Sequence, residues 1–318
     1  MYFYKNPSWI DKRLLAATKL EDFPESIFYE INKNLGTIQS EDPIVSIVIP
    51  AFNEEANIVR TIYSLSRNRT SFPAEIIVIN NNSTDRTQEV LNRLNVKSFI
   101  QTKPGCGPAR QLGQQMAKGK YILMADGDCM YPPGWIEKMT RTLERDNTPC
   151  IYGRYSFLGT KDKPRWKLFV YECLRDVVGE LRHINRPCIN ALGMSMGYVK
   201  ELGLKTGFVD RKIRGEDGRM CFQLMRYGKI RQVRDRSIRV WTLPRTLDKE
   251  PGLIYSIMAR VIIELTRVKH YFYTQPQHDV KNSKNYVPPA LKYFKKFRTI
   301  HKEEPETVEA GAVKMGGE

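Results

Sequence analysis

Three carboxylates stand where they could do chemistry. Asp126-Gly127-Asp128 follows directly on the apolar run Tyr121-Ile122-Leu123-Met124-Ala125. Alternate side chains of an extended chain project to one side, so both carboxylates can face one crevice, and the glycine between them permits a close approach. Two hard oxygen ligands beside a diphosphate suit Mg²⁺ or Mn²⁺. The triplet alone is weak: among 14 aspartates in 318 residues, a D-x-D arises by chance roughly half a time. Its position after a buried strand and before Pro132-Pro133 gives it weight. The third carboxylate, Asp217, lies in Gly215-Glu216-Asp217 at the start of a helical stretch through Met220, Leu224 and Met225. Acidic residues favour a helix N-terminus in any case. The alternative is a general base, because a carboxylate can take the proton of an attacking hydroxyl as a bond forms.

Two further segments carry polar groups in suggestive positions. Asn80-Asn81-Asn82-Ser83-Thr84-Asp85 ends an apolar run. Its amides can donate and accept, which suits Asn81 to the edge of a nucleobase, while a turn and helix cap is the plainer reading of Ser83, Thr84 and Asp85. Lys103-Pro104-Gly105-Cys106-Gly107-Pro108-Ala109-Arg110 is a glycine-rich turn into a helix. Arg110 is its most informative residue, since positive charge is disfavoured in a first helical turn unless an anion is near. Lys103 and Arg110 are therefore candidates to meet a diphosphate. His183, His270, His278 and His301 lack metal-like spacing, and neither a G-x-S-x-G motif nor a Walker A lysine loop occurs.

These residues need a scaffold, and the apolar pattern provides one. Ile44-Val45-Ser46-Ile47-Val48-Ile49, Ile76-Ile77-Val78-Ile79, Val96 to Ile100 and Tyr121 to Ala125 read as strands, the first two and the last buried on both faces. Helical stretches separate them, including Ile58, Ile62 and Leu65 on one stripe and Pro108 to Lys118. Strands alternating with helices require right-handed crossovers and a parallel sheet, whose ligands sit at the carboxyl ends of the strands. A helix is expected from Pro133 to about Glu144. Beyond 150 the alternation loses regularity, with strands near 150 to 157 and 237 to 241 and helices near 164 to 182 and 216 to 227. Ile254, Met258, Val261, Leu265, Val268 and Phe272 share a later helical stripe, and the stretch from Lys281 to Lys302 holds seven basic and no acidic residues.

Composition narrows the class. Apolar residues are 41% and charged residues 27% of the chain, ordinary values for a folded globular protein. The net charge of +16 attracts nucleic acid, anionic lipid or phosphorylated substrates without choosing among them. Six cysteines lie far apart with no C-x-x-C pair, against a zinc ribbon or a thioredoxin motif and in keeping with reduced thiols in a cytosolic compartment. No secretory signal is read at the N-terminus, and the longest apolar stretch, Leu253 to Ile263, is too short to span a bilayer.

Five blocks taken together carry a family likeness: Ile47-Val48-Ile49-Pro50-Ala51-Phe52-Asn53-Glu54-Glu55, the Asn80 to Asp85 segment, Gly107-Pro108-Ala109-Arg110, Asp126-Gly127-Asp128 and Gly215-Glu216-Asp217. In this order the chain resembles a family 2 glycosyltransferase of the GT-A fold over about residues 44 to 240. The resemblance implies an inverting, metal-dependent transfer from a nucleoside-diphosphate sugar, with UDP- or GDP-linked donors. It implies that Pro50, Ala51 and Glu54 lie near the nucleoside, Asn81 at the base, Asp126 on the ribose, and Asp126 and Asp128 on Mg²⁺ or Mn²⁺. Asp217 matches the family's general base, and Gly193 to Tyr198 followed by Gly207-Phe208 resembles its acceptor-side loop. The family commonly has an aspartate where this chain has Asn80 and Asn81, which leaves the donor open. The signature of processive polysaccharide synthases is absent, which points to single addition.

The expected architecture is α/β: a GT-A type nucleotide-binding sheet flanked by helices, continuous with an acceptor-side region and a C-terminal helical extension. Its divisions are a lead-in (1–42), a transferase domain (43–245, split at 130 into nucleotide-sugar and acceptor halves) and a basic extension (246–318). The expected partners are the donor, a glycan or lipid-linked acceptor in cell-surface glycan or glycolipid synthesis, and an anionic membrane met peripherally through the tail. The expected location is the cytoplasm, including the cytoplasmic face of the membrane. The rivals are a retaining transferase on the same fold and a basic binding module for nucleic acid or lipid. Nucleic acid is not expected, because no RRM or KH motif accompanies the cations.

Overall fold

The computed structural model describes residues 4–209 and 215–245. The apolar stripe between 254 and 272 and the basic stretch from 281 lie outside the described residues. In chain order the elements are α1 (Lys12–Ala16), α2 (Glu25–Ile38), β1 (Val45–Ala51), α3 (Glu55–Ser66), β2 (Ala74–Asn80), α4 (Thr87–Asn92), β3 (Lys97–Ile100), α5 (Cys106–Met116), β4 (Tyr121–Met124), β5 (Cys129–Met130), α6 (Trp135–Arg145), β6 (Cys150–Tyr152), β7 (Tyr155–Phe157), α7 (Arg165–Asn185), β8 (Met196–Val199), α8 (Lys200–Thr206), α9 (Glu216–Leu224), β9 (Arg231–Gln232) and β10 (Val240–Thr242).

The continuous apolar runs do become the parallel half of a sheet. Seven strands lie in the order β3-β2-β1-β4-β8-β6-β9, with β3, β2, β1 and β4 mutually parallel. Every residue of β2 and β4 is buried, and so is every residue of β1 except Pro50, as strands covered on both faces require. The register sets Val48 beside Met124 and Ala51 beside Asn80. The loops after β1, β2 and β4 therefore emerge on one edge, where the sequence reading looked for the site.

Beyond β4 the sheet changes direction. β8 enters antiparallel between β4 and β6, with Gly197 opposite Leu123 and Ile151. The sequence reading did not expect this strand, because Met196-Gly197-Tyr198-Val199 has neither alternation nor a long apolar run. A second sheet, β5-β10-β7, packs Trp241 with Met130 and Leu158. The lead-in is more than a preface: Leu14, Leu20, Phe23, Ile27, Ile31 and Leu35 join the same core as Ile47, Ile49 and Val78. Burying each large aliphatic side chain contributes about 2 kcal/mol. No helix among the described residues is long and apolar enough to cross a membrane.

Candidate active site

The loops at the carboxyl edge are tied to one another before they meet any ligand. After β1, Asn53 takes a left-handed turn with φ of 55° and accepts the Thr84 N–H on Oδ1 at 2.8 Å. Its own N–H donates to Ser83 Oγ at 3.0 Å, and the N–H groups of Glu54 and Glu55 donate to Thr87 Oγ1 and Asp85 Oδ2. Asp85 also accepts from the Thr87 N–H at 3.0 Å. Of the three residues read as a cap, only Asp85 serves α4 in this way; Ser83 and Thr84 fasten the β1 loop instead.

Asn81 is placed beneath the neighbouring turn. Its Nδ2 donates to the carbonyls of Gln101 and Lys103, at 3.1 and 2.7 Å, and its Oδ1 accepts from the Gly105 N–H at 2.7 Å. Both amide protons are thus occupied, and one lone pair on Oδ1 remains for a base edge. Lys103 is exposed on that turn, with its N–H donating to Gln101 Oε1 at 2.9 Å. Pro50 is half-buried and Ala51 buried, the Ala51 carbonyl accepting from the Asn81 N–H at 2.8 Å.

Arg110 has a different environment from the one the sequence suggests. It is 3% exposed, with Nη2 3.0 Å from Asp126 Oδ1 and Nη1 2.6 Å from Glu216 Oε1. Asp217 Oδ2 lies 4.0 Å from the same Nη1. With α5 starting at Cys106, Arg110 stands one turn into the helix rather than in its first turn; its anions are protein carboxylates, and the guanidinium lies beneath the site rather than open to a diphosphate. Gly193 makes room for it: a Cβ there would lie 1.8 Å from Arg110 Nη2.

Asp217 joins the same cluster from α9, which packs on α8 and through it beside α5. Gly215, at φ 80°, turns the chain into α9 in the left-handed region that favours glycine. Asp217 Oδ1 then accepts from the Gly218 N–H at 2.8 Å, and Oδ2 reaches across to the Gly193 N–H at 2.7 Å. The first contact is to its own neighbour in the first turn of α9; the second holds the carboxylate against the loop before β8. Tyr131 ties the two sides together as well, its hydroxyl accepting from the Asp126 N–H at 2.8 Å and donating to the Met194 carbonyl at 3.1 Å.

Asp126 and Asp128 lie side by side and half-buried, with one ligand atom each within 4.8 Å of Cys129 Sγ. Burial pushes Asp126 up to about 6, against the pull of Arg110 and with the push of Asp128 and Asp217. Burial and Asp128 also raise Glu54. Arg245 bridges Glu54 and Asp128. Among the described residues five carboxylates, Glu54, Asp126, Asp128, Glu216 and Asp217, thus face two guanidinium groups, Arg110 and Arg245. That surplus of negative charge fits a divalent cation. Cys129 fits it poorly: burial, then Asp128, holds the thiol well above its ordinary value, and its S–H points to Asp128 Oδ1 at 3.3 Å. A protonated thiol is no ligand for a hard ion, which leaves the two aspartates.

Sequence reasoning missed Arg245, Tyr131 and the part of Glu216 in binding Arg110. Arg245 and Tyr131 stand in no recognised block; for Glu216 the signal was the unexplained charge of Arg110 itself.

Residues 46–198 match the description glycosyl transferase family 2. The chain is 35% identical over 116 residues to a chondroitin synthase of Pasteurella multocida strain Pm70, covering 35% of this chain and 12% of that protein. It is 29% identical over 121 residues to an uncharacterized glycosyltransferase of Haemophilus influenzae, covering 36% of this chain and 48% of that protein. The chain thus spans less than half the length of these relatives. Among solved structures, residues 1–349 of S. aureus TarS in complex with UDP-GlcNAc share the fold, with a TM-score of 0.50 and 17% identity over 71% of this chain and 69% of that one.

Proposed function

Residues 46–198 are a glycosyl transferase family 2 domain, and from that premise we infer that the chain transfers a sugar from a UDP- or GDP-linked donor to a hydroxyl of a glycan or lipid-linked acceptor, with inversion. The observation that carries this reading is the convergence on Arg110 of Asp126, at the end of β4, with Glu216 and Asp217, at the start of α9. Residues some ninety positions apart in sequence are thereby brought to one charged cluster, which supports a shared role.

The acceptor oxygen attacks the anomeric carbon in line while the bond from that carbon to the diphosphate oxygen breaks. The hydroxyl proton passes to Asp217, and the nucleoside diphosphate leaves with the bonding pair. The Gly193 and Gly218 N–H groups fix the Asp217 carboxylate, so that it need not reorganise as it accepts the proton. Asp126 and Asp128 would hold Mg²⁺ or Mn²⁺, which supplies positive charge beside the departing diphosphate. Arg245, half-exposed at the edge of this pair, and Lys103 on the opposite turn are the cations with access to the leaving group. Pro50, Ala51, Glu54 and the free lone pair of Asn81 Oδ1 line the nucleoside side. The division at residue 130 into donor and acceptor halves belongs to this reading, as does a role in cell-surface glycan or glycolipid synthesis by single additions.

A donor panel with Mg²⁺ or Mn²⁺, scored for nucleoside diphosphate release, tests the activity. Asp217→Asn should keep donor affinity and lose about 10²- to 10⁴-fold in kcat; unchanged turnover removes the base assignment. Asp128→Ala should lose ion-dependent donor binding. The anomeric configuration of the product, read by NMR, separates inversion from retention.

A further inference from the structure

Helix α7 is apolar on the side that faces solvent. Trp166, Val170, Leu174, Val177, Leu181 and Ile184 are between 44% and 73% exposed. At ~100° per residue these six fall within an arc of about 100°, and the exposed Cys173 lies inside it. The opposite side is buried in the usual way, with Leu168 and Tyr171 packed on Phe157. A surface helix ordinarily covers its outer face with charge. Here the 21 residues of α7 present an uncharged stripe about 30 Å long, of the kind that marks an interaction surface.

The charges around the stripe identify what it meets. All three acidic residues of α7 lie off the stripe and are matched by arginines: Glu172 by Arg165 at 2.7 Å, Asp176 by Arg154, Arg175 and Arg239, and Glu180 by Arg154 and Arg234. Cations stand at both ends, Lys161, Lys163 and Lys167 around the single acid Asp162 at the start and Arg186 at the finish. The amine of Lys167 lies 5.5 Å from the centre of the Trp166 ring, an arrangement that keeps the ring at the polar boundary. A second copy of the chain is a poor match, since parallel packing opposes lysines to lysines and antiparallel packing opposes lysines to Arg186. A layer of anionic phosphates over an apolar interior satisfies both the stripe and its ends.

We propose that α7 is a docking helix for an anionic phospholipid surface, lying in the plane of the interface with the stripe from Trp166 to Ile184 turned into the acyl boundary. Lys161, Lys163, Lys167 and Arg186 then lie at the level of the head groups. The proposal is independent of the transferase reading, because its test uses no donor.

The test is co-sedimentation of the full chain with vesicles of phosphatidylcholine containing about 30% phosphatidylserine, and with phosphatidylcholine alone. Wild type should sediment with the anionic vesicles and be released by salt. Val177→Glu/Leu181→Glu, two changes at exposed positions, should weaken binding by at least about tenfold. Trp166 is the exposed one of the four tryptophans, so anionic vesicles should shift the emission of wild type to the blue and leave that of Trp166→Phe unshifted. Equal binding by the double variant, or a shift that survives in Trp166→Phe, overturns the proposal. So does a wild-type dimer, seen by light scattering, that the double variant turns into a monomer while neither binds vesicles; α7 is then a protein interface.

Discussion

The parallel half of the sheet and the half beyond β4 are held by different forces. In the parallel half, β1, β2 and β4 are buried along almost their whole length and cohere through apolar contact. The buried carboxylate there, Glu75, accepts from Ser46 Oγ, the Lys118 N–H and Lys97 Nζ. Beyond β4 the strands are short, and α7 is fastened to them by charge. Glu172, 1% exposed, accepts from Ser156 Oγ, the Phe157 N–H and Arg165, while Asp176 gathers Arg154, Arg175 and Arg239. The difference bears on the site. Asp126 and Asp128 are rooted in the apolar half and Asp217 in the ionic half, and Arg110 is a charged link between them.

If that link matters as described, Arg110→Met leaves the Glu216 and Asp126 carboxylates without their cation. It should cost about 3–5 kcal/mol in urea unfolding, the largest effect foreseen. A loss below about 1 kcal/mol would break the comparison, since the halves would then cohere without the arginine. Within the apolar half, Ile77→Ala at a fully buried position of β2 should cost about 2–5 kcal/mol through lost burial and a cavity, with no change in nucleoside diphosphate release beyond that explained by unfolding. Gly193→Ala should cost about 1–3 kcal/mol, because the methyl group meets the pinned guanidinium of Arg110. It should also depress kcat more than the donor KM, because Gly193 N–H holds Asp217.

The smallest effect is a pH dependence. Burial acts to raise Glu75, but hydrogen bonds from Ser46, the Lys118 N–H and Lys97 outweigh it and hold the carboxyl below its ordinary 4.5. A depressed carboxylate contributes stability above its unfolded value and loses it as pH falls through the folded one. Thermal melts of wild type should therefore lose stability below about pH 4.5 more steeply than those of Glu75→Gln. Parallel slopes would assign acid sensitivity to the ionic half instead.

The same division explains what could be read from the sequence. Ile44 to Ile49 reads as a buried strand and β1 runs from Val45 to Ala51; Ile76 to Ile79 lies inside β2. A strand covered on both faces shows itself as a run of neighbouring apolar residues, a pattern local to the chain. Asp126 and Asp128 are legible for the same reason, since their meaning comes from the strand just before them. β8 is not legible, because an antiparallel strand of four residues inserted next to β4 is specified by its partners, Leu123 and Ile151. The stripe on α7 escapes notice because Leu168 and Tyr171 are as apolar as Leu174 and Leu181, and only packing decides which of them is covered.

By itself, the sequence determined an α/β chain with parallel strands, a pair of aspartates at the carboxyl end of one of them, and an acid at the head of a later helix. Tertiary structure decided that Arg110 serves protein carboxylates rather than open solvent, that Asn81 fastens a turn, that Arg245 reaches Asp128, and that one face of α7 is left uncovered among the described residues. The physical reason is range. Periodicity and capping act over a few residues and leave their mark in the order of the chain, whereas a charge finds its counter-charge, and an apolar face its cover, across distances that the linear order does not record.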